Sequence, residues 1–193
     1  GPEAVRVQAE TFERLVIGQL RESVGPQGGE DPIVHHLEVL ADKTGSLIAA
    51  AGRYGAMMSG VSAEVTDRIA DFGESIGIAF QLSDDLLDIE SEVSGKTPGT
   101  DLREGIRTLP VLFALADPDT SPRLRELLSR AITDDAEHAE ALAALRIHPA
   151  MDQAREVLEQ WADRARERLG ALPNCDAKTA MATLVDSVAY RAV

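Results

Sequence analysis

The sequence contains one cysteine, Cys175, in 193 residues. An intrachain disulfide is therefore excluded, and a reducing, cytoplasmic setting is expected. No uninterrupted apolar run approaches the roughly 20 residues of a membrane-spanning helix, and no secretory leader is read at the start of the sequence. Aromatic residues are scarce, at 4%, while the abundance of Ala and Leu favours helix. Nothing reads as a strand, an internal repeat, a Gly-rich nucleotide loop or a Ser/His/Asp nucleophile arrangement. Positive charge is the other shortage: 19 Lys and Arg stand against 33 Asp and Glu, a net charge of −14. That balance argues against binding nucleic acid or an anionic membrane through general electrostatics.

What is present reads as all-α. Apolar residues make up 44% and charged residues 27%, and the length predicts a single helical domain, 1–193, with room for a real core. Val5, Phe12, Leu15, Val16 and Leu20 form a stripe over a helix at 3–24, ended by Gly25-Pro26. Asp31-Pro32 reads as an N-cap and first turn, opening a long helix from about Ile33 to Met58. Its small residues Gly45, Ala49, Ala50, Gly52 and Gly55 predict close approach of a second helix or a ligand, since an interior Gly costs about 1 kcal/mol relative to Ala. Ser62 is expected to cap a third long helix ending near Ser91. Thr108-Leu109-Pro110 starts a helix through about Ala116, and further helices are read near 122–131, 134–145, 149–169 and 176–191, separated by Pro-containing turns. His35 and His36 diverge on a helix and make a poor metal pair, while His138 and His148 read as isolated. Trp161 reads as core or interface and Arg191 as surface.

The chemistry concentrates between Phe80 and Pro110. From Ile69 to Gly95 there is no Lys or Arg, while Asp71, Glu74, Asp84, Asp85, Asp88, Glu90 and Glu92 are acidic. Asp84 and Asp88, four apart on a helix, point the same way, with Asp85 beside them and Gln81 a turn earlier. Carboxylates clustered without a base among them call for an external cation. Hard oxygen ligands suit Mg²⁺, which is commonly shared with a phosphate. A Gly/Pro-containing loop then supplies Lys96, Gly99, Asp101, Arg103 and Arg107. Carboxylates for a metal, followed by cations for an anion, suggest a diphosphate site.

The run FQxxDDxxD, then GKxxGxDL, then TLP resembles the second aspartate-rich region of the trans-type polyprenyl diphosphate synthases. The likeness continues through Gly18-Gln19 and Lys43-Thr44 and covers most of residues 12 to 115. It implies an isoprenoid-synthase bundle of long, roughly antiparallel helices, assembled as a homodimer. It implies a transferase that condenses an allylic diphosphate with isopentenyl diphosphate. Asp84, Asp85 and Asp88 would hold Mg²⁺, and Lys43, Lys96 and Arg107 would bind the allylic diphosphate. Thr44 would lie near the developing cation and Gln81 would face the substrate, so that Lys43, Thr44, Gln81 and Lys96 form the catalytic set. One departure touches Arg107: many relatives carry Lys directly after the Gly that here is Gly105, where this sequence has Ile106. The positive charge has then moved one place, or one diphosphate contact is missing.

The family's first DDxxD, and the Gly-Gly-Lys-Arg segment that receives isopentenyl diphosphate, do not occur here. The expectation is therefore that these residues are the C-terminal part of a longer synthase and are inactive alone. Two alternatives remain at this stage. A class I terpene cyclase also ionises an allylic diphosphate with Mg²⁺, but GKxxGxDL…TLP favours elongation. A non-catalytic partner subunit of a heteromeric synthase would have no need of Asp84, Asp85, Asp88 and Lys96.

Overall fold

A computed structural model describes residues 1–90 and 98–191. Within them every regular element is a helix: α1 (Pro2–Val24), α2 (Pro32–Leu40), a π-helical turn (Ala41–Gly45), α3 (Ser46–Met58), α4 (Ala63–Glu90), α5 (Thr100–Glu104), α6 (Leu109–Ala116), α7 (Pro122–Leu128), α8 (Asp135–Arg146), α9 (Ala150–Gly170) and α10 (Asp176–Tyr190). The caps expected from the sequence are present. The Asp31 carboxylate accepts from the amides of Ile33 at 2.8 Å and Val34 at 3.1 Å, and Pro32 takes the first helical position, where no amide is needed. The Ser62 hydroxyl accepts from the Val65 amide at 3.3 Å.

Three stretches differ from expectation. The long helix at 33–58 is interrupted by the π turn. The helix expected over 122–131 stops at Leu128, because Ile132 is fully buried and its amide goes to the Leu102 carbonyl at 3.1 Å. Residues 100–104, read as loop, form α5 between two left-handed glycines, Gly99 at φ 72° and Gly105 at φ 74°. The contacts divide the described residues into two compact units, 1–81 with 159–191, and 82–158.

In the first unit, α3 and the π turn lie backbone against backbone on α4. A Cβ on Gly73 would stand 2.8 Å from Ala49 Cα, and one on Gly77 would stand 2.8 Å from Gly45 Cα. Gly52 is equally tight against Ile69, at 2.9 Å. The small-residue stripe is thus explained by a helix, except at Gly55, where a Cβ would meet nothing within 4 Å. Gly77→Ala is expected to destabilise by about 1–3 kcal/mol through overpacking, while Gly55→Ala is expected to be neutral or stabilising by up to about 1 kcal/mol. Urea denaturation of both variants measures the contrast. Later in the unit, Trp161 is half-buried with the Arg164 guanidinium 4.3 Å from its ring centre. Arg166 ties α9 to α10 through Asp186 at 3.0 Å.

The second unit packs around Leu86, Leu109, Leu127, Leu145 and Met151, all at most 1% exposed. Its two histidines are not isolated. His148 Nδ1 accepts from the Ala150 amide at 3.1 Å, which leaves the proton on Nε2 for the Thr120 hydroxyl at 2.9 Å. Thr120 in turn donates to the Ala114 carbonyl at 2.6 Å. His148 therefore opens α9 and braces the turn after α6. His138 is buried, and its Nε2 lies 2.8 Å from the Gly99 carbonyl.

Candidate functional site

Lys43 and Thr44 fall inside the π turn. The Ser46 amide reaches the Ala41 carbonyl five residues back, which adds a residue to the turn and re-aims the side chains it carries. The Lys43 ammonium lies 2.5 Å from Glu22 on α1, and the same Glu22 oxygen accepts from the Gln19 amide group at 3.0 Å. The Thr44 hydroxyl donates to the Gln81 side-chain oxygen at 3.3 Å. Thr44 and Gln81, 37 residues apart, are thus brought together in the first unit, and Lys43 precedes Thr44 in the π turn.

The turn is held from α1. Gly18 packs so closely that a Cβ there would lie 2.8 Å from Asp42 Cβ and 3.2 Å from the Lys43 amide nitrogen. Arg14 donates to Asp42 at 2.9 Å, to Glu74 at 2.7 Å and to the Ala41 carbonyl at 3.3 Å. Burial opposes the Arg14 charge, but Glu74 and Asp42 outweigh it and raise its pKa. Sequence reading did not find this triad. The available signal was that Arg14 precedes Gly18 by four residues and shares its helix face. A cavity of about 250 Å³ next to this triad is lined by Arg6, Arg14, Arg53 and several carboxylates, and none of Lys43, Thr44 and Gln81 faces it.

In the second unit, Asp84 and Asp88 are half-buried near the end of α4, while Asp85 is 5% exposed. Asp88 is fixed from α5. Its two carboxylate oxygens accept the amides of Thr100 at 3.1 Å and Asp101 at 3.2 Å, and its main-chain carbonyl accepts from Gly99 at 2.6 Å. Bases do reach the acidic run from elsewhere in the chain: Arg168 lies 3.8 Å from Asp71, Arg14 pairs with Glu74, and Arg155 pairs with Glu90.

Among the described residues, no group of three or more His, Cys, Asp and Glu could hold a metal ion. Asp84, Asp85 and Asp88 therefore do not form a ready-made cage. This donor set fits a cation of another kind of site, in which Mg²⁺ takes one or two carboxylates and completes its shell with water and phosphate oxygens. Arg107 is exposed between α5 and α6, and Lys96 lies outside the described residues. The Arg191 guanidinium sits 5.0 Å from the Phe80 ring centre, within the first unit.

The family model described as "Polyprenyl synthetase" matches residues 1–145. The chain belongs to the polyprenyl synthetase family. It is 50% identical to a nonaprenyl diphosphate synthase of Mycobacterium tuberculosis, over 99% of this chain and 58% of the relative. It is 46% identical to a dimethylallyltranstransferase of the same organism, over 96% of this chain and 57% of the relative. The chain thus spans less than three-fifths of these curated relatives. Among solved structures, it superposes on geranylgeranyl pyrophosphate synthase from Corynebacterium glutamicum with a TM-score of 0.92 and 40% identity, covering 100% of this chain and 60% of that one. That crystal structure holds calcium and isoprenyl diphosphate. The all-α isoprenoid-synthase fold of this chain follows from that superposition. No helix among the described residues is long and apolar enough to cross a membrane.

Proposed function

We propose that this chain forms the second aspartate-rich part of a trans-type polyprenyl diphosphate synthase, which condenses an allylic diphosphate with isopentenyl diphosphate. The observation that carries the reading is the pair of carboxylates, Asp84 and Asp88, on one face of α4 in a family member, with Asp88 oriented by the amides of Thr100 and Asp101. Asp84 and Asp88 would hold Mg²⁺, and Asp85 would shape the field behind them from its buried position. A metal held there would supply positive charge to offset the negative charge developing on the leaving diphosphate.

Lys43 leaves its resting partner Glu22 and supplies a point charge to the allylic diphosphate. Lys96 and Arg107 add positive charge from the segment between α4 and α6. As the allylic C–O bond breaks, its electron pair leaves with the diphosphate. The Thr44 hydroxyl and the Gln81 carbonyl oxygen turn polar atoms toward the allylic cation. The isopentenyl double bond attacks that cation, a proton leaves the adjacent carbon, and a new allylic double bond forms. Elongation requires that water be kept from the cation, which it would otherwise capture.

Val5, Phe12, Val16 and Leu20 on α1 are between 41% and 69% exposed, and this stripe supplies a face for a second copy of the chain. Glu at Phe12 and Leu20 is expected to convert dimer to monomer in light scattering, and a persistent dimer places the interface elsewhere. The metal reading is tested on the chain as it stands by calorimetric titration with inorganic diphosphate, with and without Mg²⁺. Binding that requires Mg²⁺ and is lost in Asp84→Ala supports it. Binding indifferent to both overturns it.

A further inference from the structure

We propose that His138 is a positioning residue for Asp88, acting through a single peptide group; this rests on the reading of Asp88 as a ligand for metal-bound diphosphate. The Gly99 carbonyl and the Thr100 amide belong to the same peptide plane. His138 Nε2 lies 2.8 Å from that carbonyl oxygen, and the amide at the other end donates to Asp88 Oδ1 at 3.1 Å. A carbonyl can only accept, so the imidazole carries its proton on Nε2 and donates. The chain of bonds therefore runs from imidazole to peptide to carboxylate, and each bond polarises the next.

The surrounding geometry leaves this plane little freedom. His138 is 5% exposed, so its donor has no ready exchange with water. Gly99 is left-handed at φ 72°, and its own amide is held by the Asp88 carbonyl at 2.6 Å. A Cβ on Gly99 would lie 2.5 Å from His138 Nε2. Gly99 is thus required twice, by its backbone angle and by the imidazole over it. Rotation of the peptide breaks the His138 and Thr100 bonds together and disturbs the neighbouring Asp101 amide at Asp88 Oδ2, 3.2 Å away. Asp88 would then lose the amides that fix its rotamer. Partners of this outer kind typically contribute 10–100-fold to metal affinity.

The test compares His138→Phe, which fills the space without a donor, with His138→Gln, whose side-chain amide can donate to the same carbonyl. In the ligand-free chain, exchange of the Thr100 and Asp101 amides measured by NMR should accelerate in H138F and stay near the unsubstituted rate in H138Q. In calorimetry with Mg²⁺ and inorganic diphosphate, H138F should bind about 10-fold or more weakly, and H138Q within about 3-fold. If H138F lacks a cooperative thermal transition, His138→Met takes its place. Unchanged exchange and unchanged affinity in a folded donor-free variant overturn the role of His138 alone. Equal losses in H138F and H138Q also overturn it, since packing rather than donation would then be at work. Accelerated exchange in a chain that shows no Mg²⁺-dependent binding keeps the clamp and overturns the metal reading of Asp88.

Discussion

Asp84→Ala should lower turnover at least ~100-fold in an enzyme that contains this chain together with the first aspartate-rich region, the loss typical of removing one major electrostatic stabiliser. Asp84 shares its face of α4 with Asp88 and is half-buried, so it combines solvent access with a fixed helical position. Asp85, one residue on, is 5% exposed and points some 100° around the helix, which leaves it poorly placed for direct ligation. The half-exposed position also means that the substitution creates no large cavity, and thermal stability should change little. Steady-state kinetics at saturating Mg²⁺ measure the effect. A variant that keeps most of its turnover contradicts the assignment of Asp84 to the metal.

Lys43→Met should raise KM for the allylic diphosphate about 10- to 100-fold while leaving that for isopentenyl diphosphate within about 3-fold. A hydrogen bond to a charged group contributes roughly 1.5–3 kcal/mol, and each 1.4 kcal/mol is about tenfold. Met keeps the apolar stem of the side chain and removes only the ammonium. The resting pair with Glu22 has side chains 27% and 42% exposed, so its own worth is about 0–1 kcal/mol and it yields readily to a phosphate. Glu22→Gln should accordingly change KM by no more than a few-fold. Equal losses for the two substrates would remove Lys43 from the allylic site.

Features with local causes were legible in the sequence. Asp31-Pro32 and Ser62 announce helix starts because a cap and its amides lie within three residues of each other. The aspartates of α4 were legible because a fixed helical period converts spacing into direction. The π turn was not, since it depends on contacts across the fold, with Gly18 and Arg14 of α1 packing on Ala41, Asp42 and Lys43. α5 was hidden for a similar reason. Its first amides are satisfied by a carboxylate twelve and thirteen residues earlier, so the capping residue is not next to the helix it caps. His138 read as isolated because its partner is a backbone carbonyl, which leaves no trace in residue identity. The acidic run was only partly legible: absence of Lys and Arg within it says nothing about Arg14, Arg155 and Arg168 arriving from other helices. At the candidate site, the Thr44–Gln81 contact joins two residues that the family resemblance had named separately.

The most direct test of chain elongation is product analysis. An enzyme containing this chain and the first aspartate-rich region is incubated with Mg²⁺, an allylic diphosphate and labelled isopentenyl diphosphate, and the products are separated by chain length. The expected result is labelled linear diphosphates longer than the allylic substrate by whole isoprene units, abolished by chelating the metal or by Asp84→Ala. Unlabelled cyclic hydrocarbon formed from the allylic substrate alone, or elongation that survives both the chelator and Asp84→Ala, would contradict it.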